Sequence, residues 1–473
     1  MAETHVHLIG ICGSAMASLA GMLQTRSYRI SGSDAAAYPP MSDLLKALGI
    51  AIKEPYAEAN LLPHPDLVIV GNAISRGNVE LEFVLDQRIP FRSLAETIQH
   101  EFLPGKESLV VAGTHGKTTT TSMLAWIYEV ASRAKPEVAP SFLIGGIAEN
   151  FGTSFRVREG KPFILEGDEY DTAFFDKGPK FMHYFPDGLI LTHVEFDHAD
   201  IYENLDAVKT AFRRLVNLVP RRGRVIAFDD SSNVSDCVAR AFCSVERYGF
   251  KPESAWRLGN LTHQGSQSSW KIFRSGKEWL EVTLPMPGEH NALNATAAAA
   301  LAAGQGIESA PIAEALATFR SVKRRLEVRA IAGGVTIVDD FAHHPTAIRE
   351  TLKALRAAYP GQKLWAVLEP RSNTLRRNVF ERELVESLAL ADGVVVAGVF
   401  KQESIPEPER MHPEKVVAAL AHAGQDAKFY ATADAIVEGL TPRLKSGDVV
   451  AILSNGGFDG IYEKLPRKLE QRP

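Results

Sequence analysis

The string Gly113-Thr114-His115-Gly116-Lys117-Thr118-Thr119 is suited to holding a phosphate. Its glycines let backbone N–H groups converge on an anion, its lysine can neutralise β- and γ-phosphates, and the Thr118 hydroxyl can ligate Mg²⁺. The full phosphate-loop spacing, GxxxxGK followed by Ser or Thr, needs glycine at 111, where Val111 stands, so this loop is a shorter variant. Gly-Lys-Thr alone is a common tripeptide. The apolar strand Leu109 to Ala112 before it and the helical run Thr118 to Val130 after it supply the context that the chemistry needs. A magnesium nucleotide also calls for oxygen ligands. Glu166-Gly-Asp168-Glu169-Tyr-Asp171 follows the strand Phe163 to Leu165, and His193-Val-Glu195-Phe-Asp197-His198-Ala-Asp200 follows Gly188 to Thr192. Either cluster alone reads as a solvated acidic loop. Parallel sheets, however, gather ligand-binding loops at one strand end, and both clusters share the segment that carries Lys117.

Two other strings are candidates. The turn Gly10-x-x-Gly13-Ser14 follows the strand His5 to Gly10 but lacks the third glycine of a dinucleotide fingerprint, so an ordinary tight turn is an equal reading. Asp34, after the strand Tyr28 to Gly32, stands where a carboxylate reaches a ribose hydroxyl, which admits a nucleotide moiety. Asp339-Asp340-Phe341-Ala342-His343-His344-Pro345 follows a strand and opens a helix at the proline. Two carboxylates and two imidazoles crowded there point to ligand binding. A metal centre is disfavoured, because adjacent histidines on a turn point apart.

The elements that must position these residues alternate between strand and helix, which predicts an α/β protein with parallel, helix-covered sheets. A chain of 473 residues implies about three cores. We place domains at 1–106, 107–322 and 323–473, with breaks at Pro104-Gly105-Lys106 and at the basic cluster Lys323-Arg324-Arg325. Strands at Asp66 to Gly71, Val335 to Asp339, Leu364 to Leu368, Val394 to Ala397 and Val449 to Leu453, and a helix at Pro345 to Ala358, are expected. A net charge of -5 leaves no nucleic-acid footprint, and Cys12, Cys237 and Cys243 are too few for a disulfide framework and lack zinc spacing. The apolar stretch Leu8 to Leu23 has no Lys or Arg before it, so it is not a signal peptide, and the run Ala295 to Ala303 is too short to span a membrane. The expectation is a cytoplasmic protein without membrane insertion.

Together these strings, with Gly288-Glu-His-Asn291-Ala-Leu-Asn294 and Arg324-Arg325, resemble the Mur ligase family over nearly the whole chain. Six motifs in family order are far more specific than any one of them. The resemblance implies three domains: an N-terminal Rossmann-like UDP-binding sheet, a central P-loop ATPase sheet and a C-terminal Rossmann-like domain. The glycine turn and the Asp-Asp-x-x-His-His-Pro string are similar to the branch that joins L-alanine to UDP-N-acetylmuramic acid. Finer strings are most similar to a recycling branch that attaches the murein tripeptide L-alanyl-γ-D-glutamyl-meso-diaminopimelate. They are Gly32-Ser-Asp34-Ala near Tyr38-Pro39-Pro40-Met41, Gly71-Asn72-Ala-Ile-Ser75-Arg76-Gly-Asn78, Phe174-Phe-Asp-Lys177, Glu195 to Asp200, Glu369-Pro-Arg371-Ser-Asn373-Thr374 and Ser454-Asn-Gly-Gly-Phe458. Alanine ligases usually carry a Gln-Pro-His-Arg type of string where Glu369-Pro-Arg371 stands, a departure that favours a different amine.

Roles implied by the resemblance follow residue by residue. Lys117, Glu166 and His198 are catalytic; Thr118 and Glu166 hold Mg²⁺, with His198 near a second metal. Gly113 to Thr119, Asn291, Asn294, Arg325 and Asp340 surround ATP. Gly10, Gly13, Ser14, Asp34, Asn72, Ser75 and Arg76 hold UDP; His343, His344, Arg371 and Asn373 bind substrate, with Arg371 and Asn373 the candidates for reading the peptide's third residue. Lys209 stays unassigned. The implied reaction is an ATP-dependent amide ligation through an acyl phosphate, in peptidoglycan recycling, with domain closure over ATP. The alternative within the branch is the L-alanine ligase of de novo peptidoglycan synthesis. Folate-type polyglutamate ligases lack the UDP-like domain, and an intact Lys117, Thr118, Glu166 and His198 disfavours a non-catalytic sensor. Oligomeric state stays open.

Overall fold

The computed structural model describes residues 4–37 and 41–472. Tyr38, Pro39 and Pro40 of the string quoted above lie outside the described residues. Among the described residues, three large sheets organise the chain, beside a two-stranded ribbon of Asp171–Ala173 and Asp176–Pro179. The first is five-stranded and parallel, ordered Ile52–Lys53, Arg29–Ser33, His5–Ile9, Leu67–Val70, Phe91–Ser93. The second has ten strands. Its middle is parallel, with Arg224–Phe228, Gly188–Leu191, Glu107–Ala112 and Pro162–Gly167 side by side. The expectation of parallel sheets fails at both its edges. Trp256–Gln264, Gln267–Arg274 and Lys277–Leu284 form an antiparallel meander, and Thr153–Arg156 pairs antiparallel with Ser141–Ala148. The third sheet has six strands and is parallel except for the edge strand Glu327–Ala332. Hairpin strands carry polar and apolar residues in loose alternation, as in Trp270-Lys-Ile272, which offers no continuous apolar run to mark them.

Two helices back the second sheet. Lys117–Ser132 is buried along most of its length, and Glu289–Gly304 is buried from Asn291 to Ala302. Alanine fills most of that second stretch, which lets the helix lie close against its neighbours with no polar face to show. Among the described residues, no helix is long and apolar enough to cross a membrane.

The sheets are joined in two different ways. Core residues of the first sheet's layer, including Leu94, Ile98 and Phe102, belong to the same continuous hydrophobic cluster as Phe163, Phe181 and Phe212 beneath the second. The third sheet keeps its own clusters, and its contacts with the second combine hydrogen bonds with a few ring contacts such as Phe196–Phe380.

Candidate active site

Strand register decides which loops meet. Ala112 pairs with Gly167 on one side and with Leu191 on the other, so the loops after these three strands leave the sheet at one edge. That edge carries the phosphate loop, the Glu166 string and the His193 string. Gly113 has φ +131, and a Cβ there would lie 2.2 Å from the Thr192 hydroxyl; Gly116 has φ +80, and a Cβ would lie 2.6 Å from Asn294 Oδ1. Only glycine lets the loop turn this tightly against the next strand and against the Asn294 helix. In the third sheet, Leu453 pairs with both Asp340 and Leu368, which brings together Asp340 to His344, Asn455 and Glu369 to Thr374.

Lys117 Nζ lies 2.8 Å from the Gly113 carbonyl and 2.8 Å from Glu169 Oε2. Burial works against its charge, but the carboxylates of Glu169 and Asp168 outweigh it and raise its pKa. Thr118 Oγ1 donates to Glu166 Oε1 at 3.0 Å, and Gly145 N–H donates to Glu166 Oε2 at 2.8 Å. Burial nevertheless raises the pKa of Glu166. A hydroxyl and a carboxylate form an all-oxygen donor set, and a carboxylate so poorly compensated is stabilised as an anion by a hard cation, so the pair fits Mg²⁺. His198 stands apart from that pair. Its Nε2 is 3.5 Å from Glu169 Oε1, in a cluster with Asp168 whose ligand atoms all lie within 4.8 Å of one another. Burial opposes a proton on His198, and its hydrogen bond and charge interaction with Glu169 prevail, raising its pKa. His198 therefore pairs with a carboxylate here rather than joining Thr118 and Glu166.

Two cavities flank this centre. One, of about 340 Å³, is lined by the phosphate loop at His115, Gly116, Thr118 and Thr119, by Asn291 and Asn294, and by Arg325 and Asp340. It thus joins most of the residues expected around ATP, and Arg325 Nη2 reaches Thr118 Oγ1 at 3.4 Å across the two sheets. Its wall also includes Asp230 and Ser231, which sequence reasoning missed; they follow the strand Arg224–Phe228 at the same sheet edge, a strand whose ends were not marked. The other cavity, of about 350 Å³, is lined by Asp197, His198, His343, Arg371 and Asn373, and by Tyr170, Arg376, Lys401 and Asn455, which were not singled out.

The two adjacent histidines do point apart. His343 lines the second cavity; its Nδ1 lies 3.0 Å from the Phe341 carbonyl and must carry the proton, which leaves Nε2 as an acceptor 3.8 Å from Asp197 Oδ2. His344 is buried instead. It accepts from Thr346 N–H at 3.2 Å, reaches the Phe196 carbonyl at 3.2 Å, and packs 4.6 Å from the His115 ring. It lines neither cavity, so the substrate-binding place expected for it is not where the structure puts it. Glu195 gathers His115 at 3.0 Å and Thr346 Oγ1 at 2.7 Å; burial resists its charge, and these donors hold its pKa down at about 2.

The N-terminal turn is set by Gly10, φ +81, whose N–H donates to the Ser33 carbonyl at 2.9 Å. Asp34 Oδ2 accepts from Cys12 N–H at 2.8 Å, so the acidic residue and the turn are physically joined, with Gly13 capping the helix that starts at Ser14. Asn72 is half-buried on the next strand-end loop, and Ser75 is exposed. Arg76 departs from expectation: it is exposed, in the turn before the helix Val79–Asp86, and forms a bidentate pair with Glu82 of that helix at 2.9 Å.

A phosphate loop on one α/β domain, closed over by a second and attached to a third with its own glycine turn, defines a three-domain nucleotide-using enzyme. The Mur ligase middle domain description matches residues 111–302, the Mur ligase glutamate ligase domain 324–456, and the Mur ligase family catalytic domain 5–102. The chain belongs to the Mur ligase family and is an ATP-dependent ligase that forms a carbon–nitrogen bond. It is 40% identical over 461 residues, 97% of each chain, to the Escherichia coli UDP-N-acetylmuramate–L-alanyl-gamma-D-glutamyl-meso-2,6-diaminoheptandioate ligase. A UDP-N-acetylmuramate–L-alanine ligase from Burkholderia pseudomallei is 31% identical over 475 residues, 99% of this chain and 98% of the relative. Among solved structures, a murein peptide ligase from Psychrobacter arcticus superposes with a TM-score of 0.74 at 33% identity, covering 99% of both chains.

Proposed function

We propose that this ligase joins L-alanyl-γ-D-glutamyl-meso-diaminopimelate to UDP-N-acetylmuramic acid in the cytoplasm, returning a wall peptide to nucleotide-linked form. The observation that carries the reading is the pair of cavities flanking Lys117, one beside the phosphate loop and one lined by three cations, Arg371, Arg376 and Lys401. A single alanine would occupy little of the second cavity and bring one carboxylate; the tripeptide brings three. Higher identity to the tripeptide ligase than to the alanine ligase supports the same choice.

In this reading residues 1–106 hold the UDP-sugar at the Gly10 turn and Asp34, residues 107–322 hold ATP, and residues 323–473 close over it and present the amine. The muramyl carboxylate attacks the γ-phosphorus, ADP leaves, and an acyl phosphate forms. The peptide's neutral α-amine then attacks the acyl carbon, and inorganic phosphate departs. Lys117 gives up Glu169 to hold the transferring phosphoryl group, and Arg325 and Asn294 orient the nucleotide. Asp197 and the Nε2 of His343 are the acceptors that face the incoming amine. Thr118 and Glu166 would hold Mg²⁺, which when bound neutralises phosphate charge.

Phosphate release in the presence of ATP, Mg²⁺ and UDP-N-acetylmuramic acid tests this, with the tripeptide or free L-alanine as amine. Turnover is expected with the tripeptide alone. Turnover with alanine alone would make the chain an alanine ligase. Lys117→Ala should lower the rate by about 10²- to 10³-fold or more with either amine.

A further inference from the structure

The amine-side cavity holds more positive charge than its own walls neutralise. Arg371 is matched: Glu369 Oε1 lies 3.2 Å away, and its guanidinium rests 3.7 Å from the centre of the Phe400 ring. Arg376 and Lys401 have no carboxylate within 4.0 Å among the described residues. Arg376 donates only to neutral groups, Ser404 Oγ at 2.9 Å and Asn373 Oδ1 at 2.6 Å, and its Nε is buried with no partner. Lys401 adopts φ +46, a left-handed conformation that a residue with a Cβ rarely takes, and this turns its side chain along Phe400 at the cavity wall. Asn455, lining the same cavity, buries an Oδ1 that accepts no hydrogen bond. A buried guanidinium edge, an unpaired ammonium and an unused amide oxygen in one cavity are complementary to a group that carries both a carboxylate and an ammonium.

That group has a natural counterpart if the function proposed above holds, and the inference rests on that reading. The third residue of the tripeptide ends in a free amino-acid centre. Its lysine analogue keeps the amine and lacks only the carboxylate. We infer that Arg376 and Lys401 are specificity residues that bind the terminal carboxylate of the peptide's third residue, with Asn455 accepting from the ammonium beside it. The reacting amine then lies at the Asp197, His198 and His343 side of the cavity, next to the Lys117–Glu169 pair.

The test compares kcat/KM for the diaminopimelate tripeptide and the lysine tripeptide in the full-length enzyme, with the KM for ATP as the control for an intact fold. The unsubstituted protein should favour diaminopimelate by about tenfold or more. Lys401→Gln and Arg376→Gln should each cut that preference by raising KM for the diaminopimelate peptide alone, and the double variant should bring the ratio near one. Lys401→Arg, which keeps the charge, should restore most of it. If the unsubstituted enzyme treats the two peptides alike, or if both variants keep the preference, the inference is overturned while the ligase reading stands. If neither tripeptide is turned over, both fall together.

Discussion

The joint between the first and second sheets and the seam between the second and third hold neighbouring domains by different balances of apolar packing and hydrogen bonding. At the joint, Phe102 packs against Phe163 with ring centres 6.4 Å apart, Ser18 and Ser154 share a buried hydrogen bond of 2.7 Å, and a side chain at Gly21 would overlap Phe155. At the seam, Thr374 Oγ1 donates to Asp197 at 2.6 Å, Asn373 to Asp200 at 2.7 Å, and Thr346 to Glu195 at 2.7 Å. Apolar surface once buried resists exposure in proportion to its area, whereas each seam hydrogen bond exchanges for one with water at a net of about 1 kcal/mol. The joint is therefore expected to be a fixture, and the seam a contact that opens to admit substrates and closes over them.

The most severe way to break this contrast is at the joint. Phe102→Ala should cost about 3–5 kcal/mol, because a ring buried in a shared core leaves a cavity on both sides. Denaturation followed by separate probes in the first two domains should still show one transition, shifted to lower denaturant. If the first domain alone loosened, the two would not share a core. A smaller effect is expected at the seam. Thr374→Val keeps the shape and removes a donor from the buried Asp197, at a cost of about 1–3 kcal/mol. It should lower kcat/KM about tenfold or more while leaving the melting of the first two domains unchanged, and a shift in that melting would erase the distinction.

The mildest perturbation is pH. Burial, with His115 adding to it, lowers His344 from 6.5 to about 3, so in the closed form it stays neutral well below the pH at which an open, hydrated imidazole takes a proton. Acidification from pH 6.5 towards 3 therefore favours the open seam, and Glu195, held at about 2 from 4.5, begins to add to the loss below pH 4.5. Small-angle scattering with an ATP analogue should show a compact particle at pH 7.5 that expands by pH 5.5, with the first two domains unaltered. An unchanged profile would mean that the seam is not governed by these groups.

Much of the positioning logic was legible before any coordinates. The strands Leu364–Leu368 and Val449–Leu453 and the helix Pro345–Ala358 fall where apolar runs and a helix-opening proline put them. The phosphate loop, Asn291, Asn294, Arg325 and Asp340 do converge on one cavity. Local strings cannot report which side chain answers which across sequence. Glu169 lies inside the quoted acidic string, yet only the fold shows that it, and not Glu166, grips Lys117. Arg376 and Lys401 follow the strands Leu364–Leu368 and Gly393–Ala397, but nothing in their own strings marks them, and they stand out only through the partners they lack. Arg76 reads as part of a UDP-holding loop until Glu82, on the helix Val79–Asp86 that follows, claims it.

The alanine-lined helix Glu289–Gly304 has a consequence well away from its buried middle. Asn291 and Asn294 occupy its opening turns, and small side chains let the helix rest on the sheet beneath it. Methyl groups thus act as a gauge block for the nucleotide site. A valine or leucine in place of one of the fully buried alanines Ala297 to Ala300 should lift the rod from its neighbours, and two amides at its far end would move off register with it.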